Sequence, residues 1–353
     1  MRKSRSIKLI AALLTVAMLF TVLVGCSKKE ADPTPTPSTE APATPDDTTT
    51  AAPAALKPLK IGIIGAGCEL HFYTAEKLGL YEAAGYDVEL VHVNPAEQQM
   101  LIETGKIDVT DGVLDFWLKP IENGLDIKAT IGIQQGCFAV VVREDSPYKT
   151  IADLKGKKIG TTHTSGVGEY FWRLLLADGY DPENDFEWVV LESAATQAAL
   201  DSGEVDAISV GDSGIYPRVQ SGELRFVAQM STDPQIADET CCLLVFSSQY
   251  VKSNLEDVKA ITQVLYDASI YLQSDEHKKE IVDYGFEKGL ILSGEPATTY
   301  EIAKTYVWNP GFDIGIKTFT NIFKAYQGFG IISEDVSAEK VVENLFVQFD
   351  LKQ

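Results

Sequence analysis

Basic residues are scarce in this sequence. Its 353 residues include 30 Lys and Arg but 51 Asp and Glu, which gives a formal net charge of −21 at pH 7. Nucleic-acid binding relies on Lys and Arg side chains that neutralise phosphates. The charge balance therefore excludes nucleic acid as the expected partner.

Cysteine is also scarce, with five residues in the chain, and the first of them has an informative position. Cys26 follows a basic start and the apolar run Leu9–Val24, which together have the layout of an export signal. The tetrad Leu23-Val24-Gly25-Cys26 resembles the bacterial lipobox. Residues 1–25 are therefore predicted to be a lipoprotein signal peptide, and Cys26 the lipidated residue; the alternative is an uncleaved anchor helix.

Residues 26–58 offer almost no apolar side chains to bury. The stretch is rich in Pro, Thr and Ala, so it is predicted to be a disordered linker that starts at the lipid. The lipid would hold the exported chain at the outer face of the cell membrane, with the folded body close to it.

Two segments of the folded part match each other without a gap. The segment 60–109 aligns with 158–207. Identical pairs include Lys60 with Lys158, Glu89 with Glu187, Gly105 with Gly203 and Asp108 with Asp206. Each segment reads as strand, Gly/Ser-rich loop, helix, strand, capped helix and strand, which predicts two structurally equivalent units.

Strand–helix alternation of this kind predicts an α/β fold with two lobes, each a mostly parallel sheet flanked by helices. Lobe 1 is expected to span 59–140 and 245–353, and lobe 2 to span 141–244. The apolar segments 136–144 and 241–251 are predicted to be two hinge strands, antiparallel and side by side. Because open α/β sheets bind ligands at the C-terminal ends of their strands, facing lobes would form one cleft.

Four stretches carry a resemblance to a known family. They are "AEKLGLYEAAGYDVELV" (75–91), "LIETGKIDVTDG" (101–112), "TIADLKGKKIGTTHTSG" (150–166) and "ALDSGEVDAI" (199–208). The sequence resembles the solute-binding proteins of ABC importers, in the nitrate, sulfonate, taurine and thiamine-precursor group. This implies a monomeric type II periplasmic-binding-protein-like clamp, without cofactor or enzymatic activity, that delivers a solute to a permease and its ATPase.

By position, the resemblance places ligand-binding residues at the loops after the strands and at the hinge. They are Cys68, Glu69, His71, Phe72, Asp111, Gly112, Asp115, Trp117, Gln135, Cys137, His163, Thr164, Ser165, Gly166 and Asp212. The loops contain acids but neither Lys nor Arg. A neutral or cationic solute, including a heterocyclic one, is therefore expected over nitrate or sulfonate. The alternative is that Asp111 and Asp212 are N-caps that open helices.

Rival functions have weaker patterns. The stretch "GIIGAGCELHF" (62–72) lacks the third glycine of a dinucleotide fingerprint, because Leu70 occupies that position. Cys68 and His71 in one loop, with His163 in the opposing loop, would suit zinc or another borderline-soft ion. A metal- or cofactor-binding protein is therefore the alternative. An enzyme, of the thiamine-precursor synthesis type, is less favoured. No nucleophile motif stands out, since "HTSGVG" (163–168) is not G-x-S-x-G.

The expected hinge strands contain three of the remaining cysteines and so predict their positions. Cys137 and at least one of Cys241 and Cys242 are predicted to lie near the floor of the cleft, close to Cys68. A disulfide, a vicinal Cys241–Cys242 ring and reduced thiols that fill apolar space all stay open.

Overall fold

The computed structural model describes residues 55–162 and 178–352, apart from residues 183 and 237, together with residues 171, 174 and 175. These residues belong to one compact unit of the chain. The predicted signal peptide, Cys26, most of the linker and the predicted site residues His163, Thr164, Ser165 and Gly166 lie outside the described residues.

Strands of the described chain fall into two sheets. They are β1 (Lys57–Ile63), β2 (Tyr86–His92), β3 (Val109–Val113), β4 (Ile127–Gln135), β5 (Phe138–Arg143), β6 (Lys158–Thr161), β7 (Glu187–Val190), β8 (Ala207–Gly211), β9 (Leu224–Gln229), β10 (Cys242–Ser247) and β11 (Val307–Gly311). The first sheet has the order β11-β4-β10-β3-β1-β2, and the second has the order β7-β6-β8-β5-β9.

Each sheet has a parallel part and an antiparallel part. In the first sheet β1 is parallel to β2 and β3, whereas β10 is antiparallel to β3 and β4. In the second sheet β6 is parallel to β7 and β8, whereas β5 is antiparallel to β8 and β9. The predicted α/β architecture with two sheets is confirmed.

Helices flank both sheets. They are α1 (Leu70–Lys77), α2 (Leu80–Ala83), α3 (Gln98–Glu103), α4 (Leu114–Glu122), α5 (Ser193–Ser202), α6 (Tyr216–Gln220), α7 (Ser248–Ser253), α8 (Leu255–Tyr271), α9 (Asp275–Glu287), α10 (Pro296–Thr305), α11 (Phe312–Gly328) and α12 (Ala338–Leu345). Short 3-10 helices span Gly67–Glu69, Pro95–Glu97, Ile151–Leu154 and Asp212–Gly214. Among the described helices, none has both the length and the apolar character needed to cross a bilayer.

The predicted duplication is visible as the same contact in both sheets. The backbone N–H of Lys60 donates to Asp108 Oδ2 over 2.9 Å, and that of Lys158 donates to Asp206 Oδ2 over 3.0 Å. In both sheets the carboxylate anchors the first residue of the segment to the turn that precedes the third strand. The two units therefore share local geometry as well as sequence.

Two segments of the chain connect the sheets, and they run close together. They do not pair with each other as predicted. The chain leaves the first sheet between β4 and β5 and returns between β9 and β10. The segments 136–144 and 241–251 lie in different sheets, so their predicted pairing is wrong: β10 pairs with β4, and β5 pairs with β9. The outgoing passage is a strand broken at Gly136 and Cys137, both of which have positive φ.

Asp111 lies within β3, with its backbone in the ladder opposite Leu244. Helix α4 begins three residues later, at Leu114, with Val113 as its N-cap. The alternative that Asp111 opens a helix is therefore wrong. Asp212, in contrast, is the first residue of the 3-10 helix Asp212–Gly214.

Candidate functional site

The C-terminal ends of strands from both sheets line one cavity of about 210 Å³. Gly67 follows β1 in the first sheet, and Ser213 and Gly214 follow β8 in the second. Helix α10 contacts both α6 and the 3-10 helix Asp212–Gly214, so it joins the two sides. This position matches the expected place for a ligand between open α/β sheets.

Two residues after Gly67, the Glu69 carboxylate is held by hydrogen bonds within its own part of the chain. It accepts hydrogen bonds from the backbone N–H groups of Ile64 (2.8 Å) and Ala66 (2.9 Å) and from the Tyr73 hydroxyl (3.0 Å). Burial raises the pKa of Glu69 to about 7, although the backbone hydrogen bonds oppose the shift. The side chain is 1% exposed, and its hydrogen bonds stabilise the loop after β1.

His71 and Asp111 form a buried pair of polar side chains. His71 Nε2 lies 3.7 Å from Asp111 Oδ2, and among the described residues neither atom has a hydrogen-bond partner. Burial lowers the pKa of His71 to about 3. Burial also raises the pKa of Asp111 well above its usual value, with the nearby Cys242 and Glu69 adding to the shift. Buried polar atoms without partners are unfavourable, so this pair is a candidate position for a ligand.

Aromatic rings enclose this pair on one side. The His71 ring lies 4.0 Å from that of Phe72 and 5.9 Å from that of Trp308, between centroids. The Trp308 side chain is buried, and its Nε1 atom has no partner among the described residues. The environment of His71 is therefore apolar, which accounts for the direction of its pKa shift.

Four cysteines lie together at the crossing between the sheets. The sulfurs of Cys137, Cys241 and Cys242 lie within 4.8 Å of one another, and the Cys68 thiol contacts that of Cys137. The prediction that Cys137 lies with its distant partners and close to Cys68 is confirmed. All four are free thiols. Hydrogen bonds from Cys137 and Cys241 hold the pKa of Cys242 well below its usual value.

Other predicted site residues are buried in the hydrophobic core around the first sheet. Phe72 and Trp117 belong to its hydrophobic core. A Cβ added to Gly112 would lie 2.7 Å from Trp117 Nε1, so the glycine allows the indole to pack against β3. Asp115 is buried on α4.

Gln135 lines a second, larger cavity, which shares Tyr306 with the first. This cavity of about 760 Å³ lies beside β11 and includes Trp308 and three lysines among its lining residues. Each of these lysines has an acidic partner: Lys278 with Asp275, Lys304 with Glu301 and Lys317 with Asp238. The cavity is therefore not a concentrated positive site.

The structure adds residues that sequence reasoning did not assign to the site. Gln134, at the end of β4, donates from Nε2 to the sulfurs of Cys137 (3.2 Å) and Cys242 (3.5 Å). Trp308 reaches the site from β11, far along the chain. The Cys241-Cys242 doublet was a usable sequence signal, whereas nothing in the local sequence marks Trp308.

Comparison with family models matches residues 69–277 to the family described as "NMT1/THI5 like". Comparison with curated protein sequences gave no match.

Solved structures with the same fold include three binding proteins. The aliphatic sulphonate-binding protein SsuA of Escherichia coli has 15% identity and a TM-score of 0.70, with 85% of this chain and 94% of that chain covered. The alkanesulfonate-binding protein SsuA of Xanthomonas axonopodis pv. citri, bound to MOPS, has 17% identity and a TM-score of 0.63, with 82% and 98% covered. The nitrate-binding protein NrtA of Synechocystis PCC 6803 has 13% identity and a TM-score of 0.64, with 82% and 86% covered. The periplasmic-binding-protein fold is shared.

Proposed function

The chain belongs to the NMT1/THI5-like family, and on this premise we propose that it is the extracytoplasmic solute-binding subunit of an ABC importer. Its two lobes capture a small organic solute and deliver it to a membrane permease that works with an ATPase. The observation that carries this proposal is the cavity lined by loops from the strand ends of both sheets. Relatives of the same fold, described as sulfonate- and nitrate-binding proteins, support it.

The lobes of this clamp comprise residues 59–140 with 245–353 and residues 141–244. The distribution of strands supports this order of lobes, since β5 to β9 form one sheet and the remaining described strands form the other. The strands change sheet a few residues before each limit, because β5 begins at Phe138 and β10 at Cys242. The passages at 136–137 and 230–241 would then be the hinge about which the lobes close on a solute.

The solute is neutral or cationic, and a heterocyclic compound fits this class. Neither Lys nor Arg occurs in the segments 65–72, 111–117, 134–137 and 163–166 or at 211–214. The first sheet instead carries the buried Asp111 on β3, close to His71 and its neighbouring aromatic rings. Cys68, His71, Asp111 and Cys137 would face the solute from this side. His163, Thr164, Ser165, Gly166 and Asp212 would face it from the other lobe.

An anchor and a tether complete the proposal. Residues 1–25 are the export signal, Cys26 carries the lipid, and residues 26–58 link it to the folded body at the outer face of the membrane. The body acts as a monomer, captures its solute without the help of a cofactor and does not turn the solute over. The binding function of the structural relatives supports this choice over an enzyme.

Native mass spectrometry of the full chain, purified in mild detergent, tests the function directly. A solute that co-purifies should be released intact on denaturation and should raise the melting temperature when it is added back. Recovery of the unchanged solute after prolonged incubation is expected of a binding protein. Its conversion into a product would instead establish an enzyme.

A second measurement tests the chemistry of the solute. Nitrate, sulfate, taurine and alkanesulfonates at millimolar concentration are expected to leave the melting temperature unchanged. Stabilisation by any of them would contradict a neutral or cationic solute, because a ligand that binds the native state raises its stability. The importer function would survive that result.

A further inference from the structure

Three cysteine sulfurs meet where the chain passes between the sheets. Cys137 belongs to the outgoing passage, and Cys241 and Cys242 belong to the returning one. Their Sγ atoms lie within 4.8 Å of one another, and each residue is at most 8% exposed. A grouping of three buried sulfurs from two distant segments differs from a lone thiol that fills apolar space.

The backbone brings these sulfurs together by specific contacts. The N–H of Cys241 donates to the Gln134 carbonyl over 2.6 Å, which joins the start of β10 to the end of β4. Cys137 lies three residues after Gln134 and has φ 90°, the one positive φ among the described non-glycine residues. Such a conformation is unfavourable for a residue with a Cβ and often marks a functional position.

The polar groups around the three sulfurs would stabilise them as thiolates, which together could bind a cation. Gln134, fully buried, directs its Nε2 donor at the sulfurs of Cys137 and Cys242. Asp111 lies close enough to Cys242 and Cys68 for their charges to interact. Its Oδ2 atom is buried without a hydrogen-bond partner among the described residues. An amide donor stabilises thiolates, and an unpartnered carboxylate adds a ligand or a counter-charge.

We propose that Cys137, Cys241 and Cys242 form a thiolate site for a single thiophilic d10 ion, Cu(I) or Zn(II). Metal–sulfur bonds of about 2.3 Å place the sulfurs of a trigonal site about 4 Å apart, so the observed separations require only small side-chain shifts. Soft thiolate ligands select such ions over Mg²⁺ or Ca²⁺. For Zn(II), which takes four ligands, Cys68 or Asp111 supplies the fourth.

A metal accounts for the cluster better than a disulfide does. A bond between two of the three sulfurs leaves the third unused, and a disulfide sulfur is a poor acceptor for the Gln134 amide. An ion uses all three sulfurs and ties the outgoing passage to the returning one. The proposal concerns this site alone and does not depend on the importer function.

The experiment uses the full chain, purified anaerobically in mild detergent with a non-thiol reductant. It is titrated with Cu(I) held as its bicinchoninate complex and, separately, with Zn(II) against a chromogenic chelator. One equivalent of at least one of these ions is expected to bind, and Cys137→Ser and Cys242→Ser should each weaken that binding at least 100-fold. Ser247→Ala is the control, because Ser247 lies on the same strand as Cys242, is similarly buried and is not a member of the sulfur cluster. It should bind like the wild type.

X-ray absorption of the metal-loaded wild type keeps the test independent of whether the variants fold. At least three sulfur ligands at about 2.3 Å are expected. The proposal is overturned by a shell of nitrogen and oxygen alone, by failure of both ions to bind, or by binding that both serine variants retain. A disulfide that joins Cys137 to its partners in the anaerobically isolated chain would overturn it as well.

Discussion

His71 Nε2, on α1, and Asp111 Oδ2, on β3, face each other across 3.7 Å in the protein interior, too far apart for a hydrogen bond. Burial lowers the pKa of His71 to about 3 and raises the pKa of Asp111 well above its usual value. Both shifts favour the uncharged forms, so the pair is not an ion pair. A hydrogen-bonding or cationic solute would satisfy the Asp111 carboxyl group, which the protein alone does not.

The depressed pKa of His71 predicts a loss of stability in acid. The folded state takes up this proton only near pH 3, whereas the unfolded chain takes it up near pH 6.5. Stability from this group is therefore present above about pH 6.5 and is lost as the pH falls, by about 1.4 kcal/mol per pH unit. Urea unfolding between pH 7.5 and 5 should show a shallower loss for His71→Asn. Equal slopes for both proteins would contradict the assignment.

Asp111→Asn should act in the opposite pH direction. A raised pKa means that the folded state holds the proton more tightly, so the wild type loses stability as the pH rises above the value in the unfolded chain, near 3.8. The variant lacks this titrating group. Its unfolding free energy, measured with urea, should therefore increase relative to that of the wild type between pH 5 and pH 8.

The same substitution tests the site. Asp111→Asn should weaken binding of the co-purified solute at least tenfold by calorimetry, which is about 1.4 kcal/mol. Asp87→Asn, on an exposed position of β2, is the control and should bind like the wild type. Unchanged affinity in Asp111→Asn would remove this residue from the binding site.

The duplicated carboxylates allow a matched pair of stability measurements. Asp108→Ala and Asp206→Ala each remove an acceptor for a backbone N–H, and each should cost about 1–2 kcal/mol in unfolding free energy. Asp206→Ala should cost more, because Asp206 also accepts from the Tyr148 hydroxyl. The effects should add in the double variant. Glu89→Ala and Glu187→Ala, which break exposed ion pairs, should cost less than about 1 kcal/mol.

Gly136 is expected to be irreplaceable for a steric reason. Its φ is 122°, and a Cβ at this position would lie 2.5 Å from Tyr306 Cδ1. Gly124 has φ 100° with open space around it. Both alanine variants carry backbone strain, so the extra loss of melting temperature in Gly136→Ala isolates the clash with Tyr306. Equal losses would show that the ring moves freely aside.

The proposed lipid anchor has a direct test. Cys26→Ser should leave an unlipidated precursor that no longer enters the detergent phase on partitioning. Cys68→Ser is the matched control, since it removes another cysteine without touching the proposed lipidation position, and it should partition like the wild type. A Cys26→Ser variant that partitions unchanged would show that the anchor lies elsewhere.

Much of the fold was predictable because the duplication repeats local patterns. The N-cap at Asn94, which accepts from the Ala96 N–H, and the positive φ values of Gly105 and Gly203 follow directly from residue type. By contrast, β4 and β11 were not among the predicted strands. The sequence of β11 contains Asn309 and Pro310, which argue against a strand. Its position at the edge of the sheet accommodates them.

The site was less predictable, because its members meet only through long-range pairing. Residue type identified His71 and Asp111 as candidate site residues, but it did not predict that both side chains are buried. The pairing of β10 with β4, rather than with β5, decides that Cys137 meets Cys241 and Cys242. Local sequence contains no information on that choice. Glu69 looked like a ligand-facing acid, and only its hydrogen bonds to Ile64 and Ala66 reveal a loop-stabilising role.

The central place of β10 has a consequence for the order in which the chain can fold. The second sheet is built from one uninterrupted stretch, 138–229. The first sheet cannot join β3 to β4 until Cys242–Ser247 has been synthesised, because β10 lies between them. A nascent chain that ends before residue 242 therefore holds a complete set of strands for the later sheet and an open gap in the earlier one. Strands β1 to β4 therefore cannot complete their sheet until the later strand β10 is available.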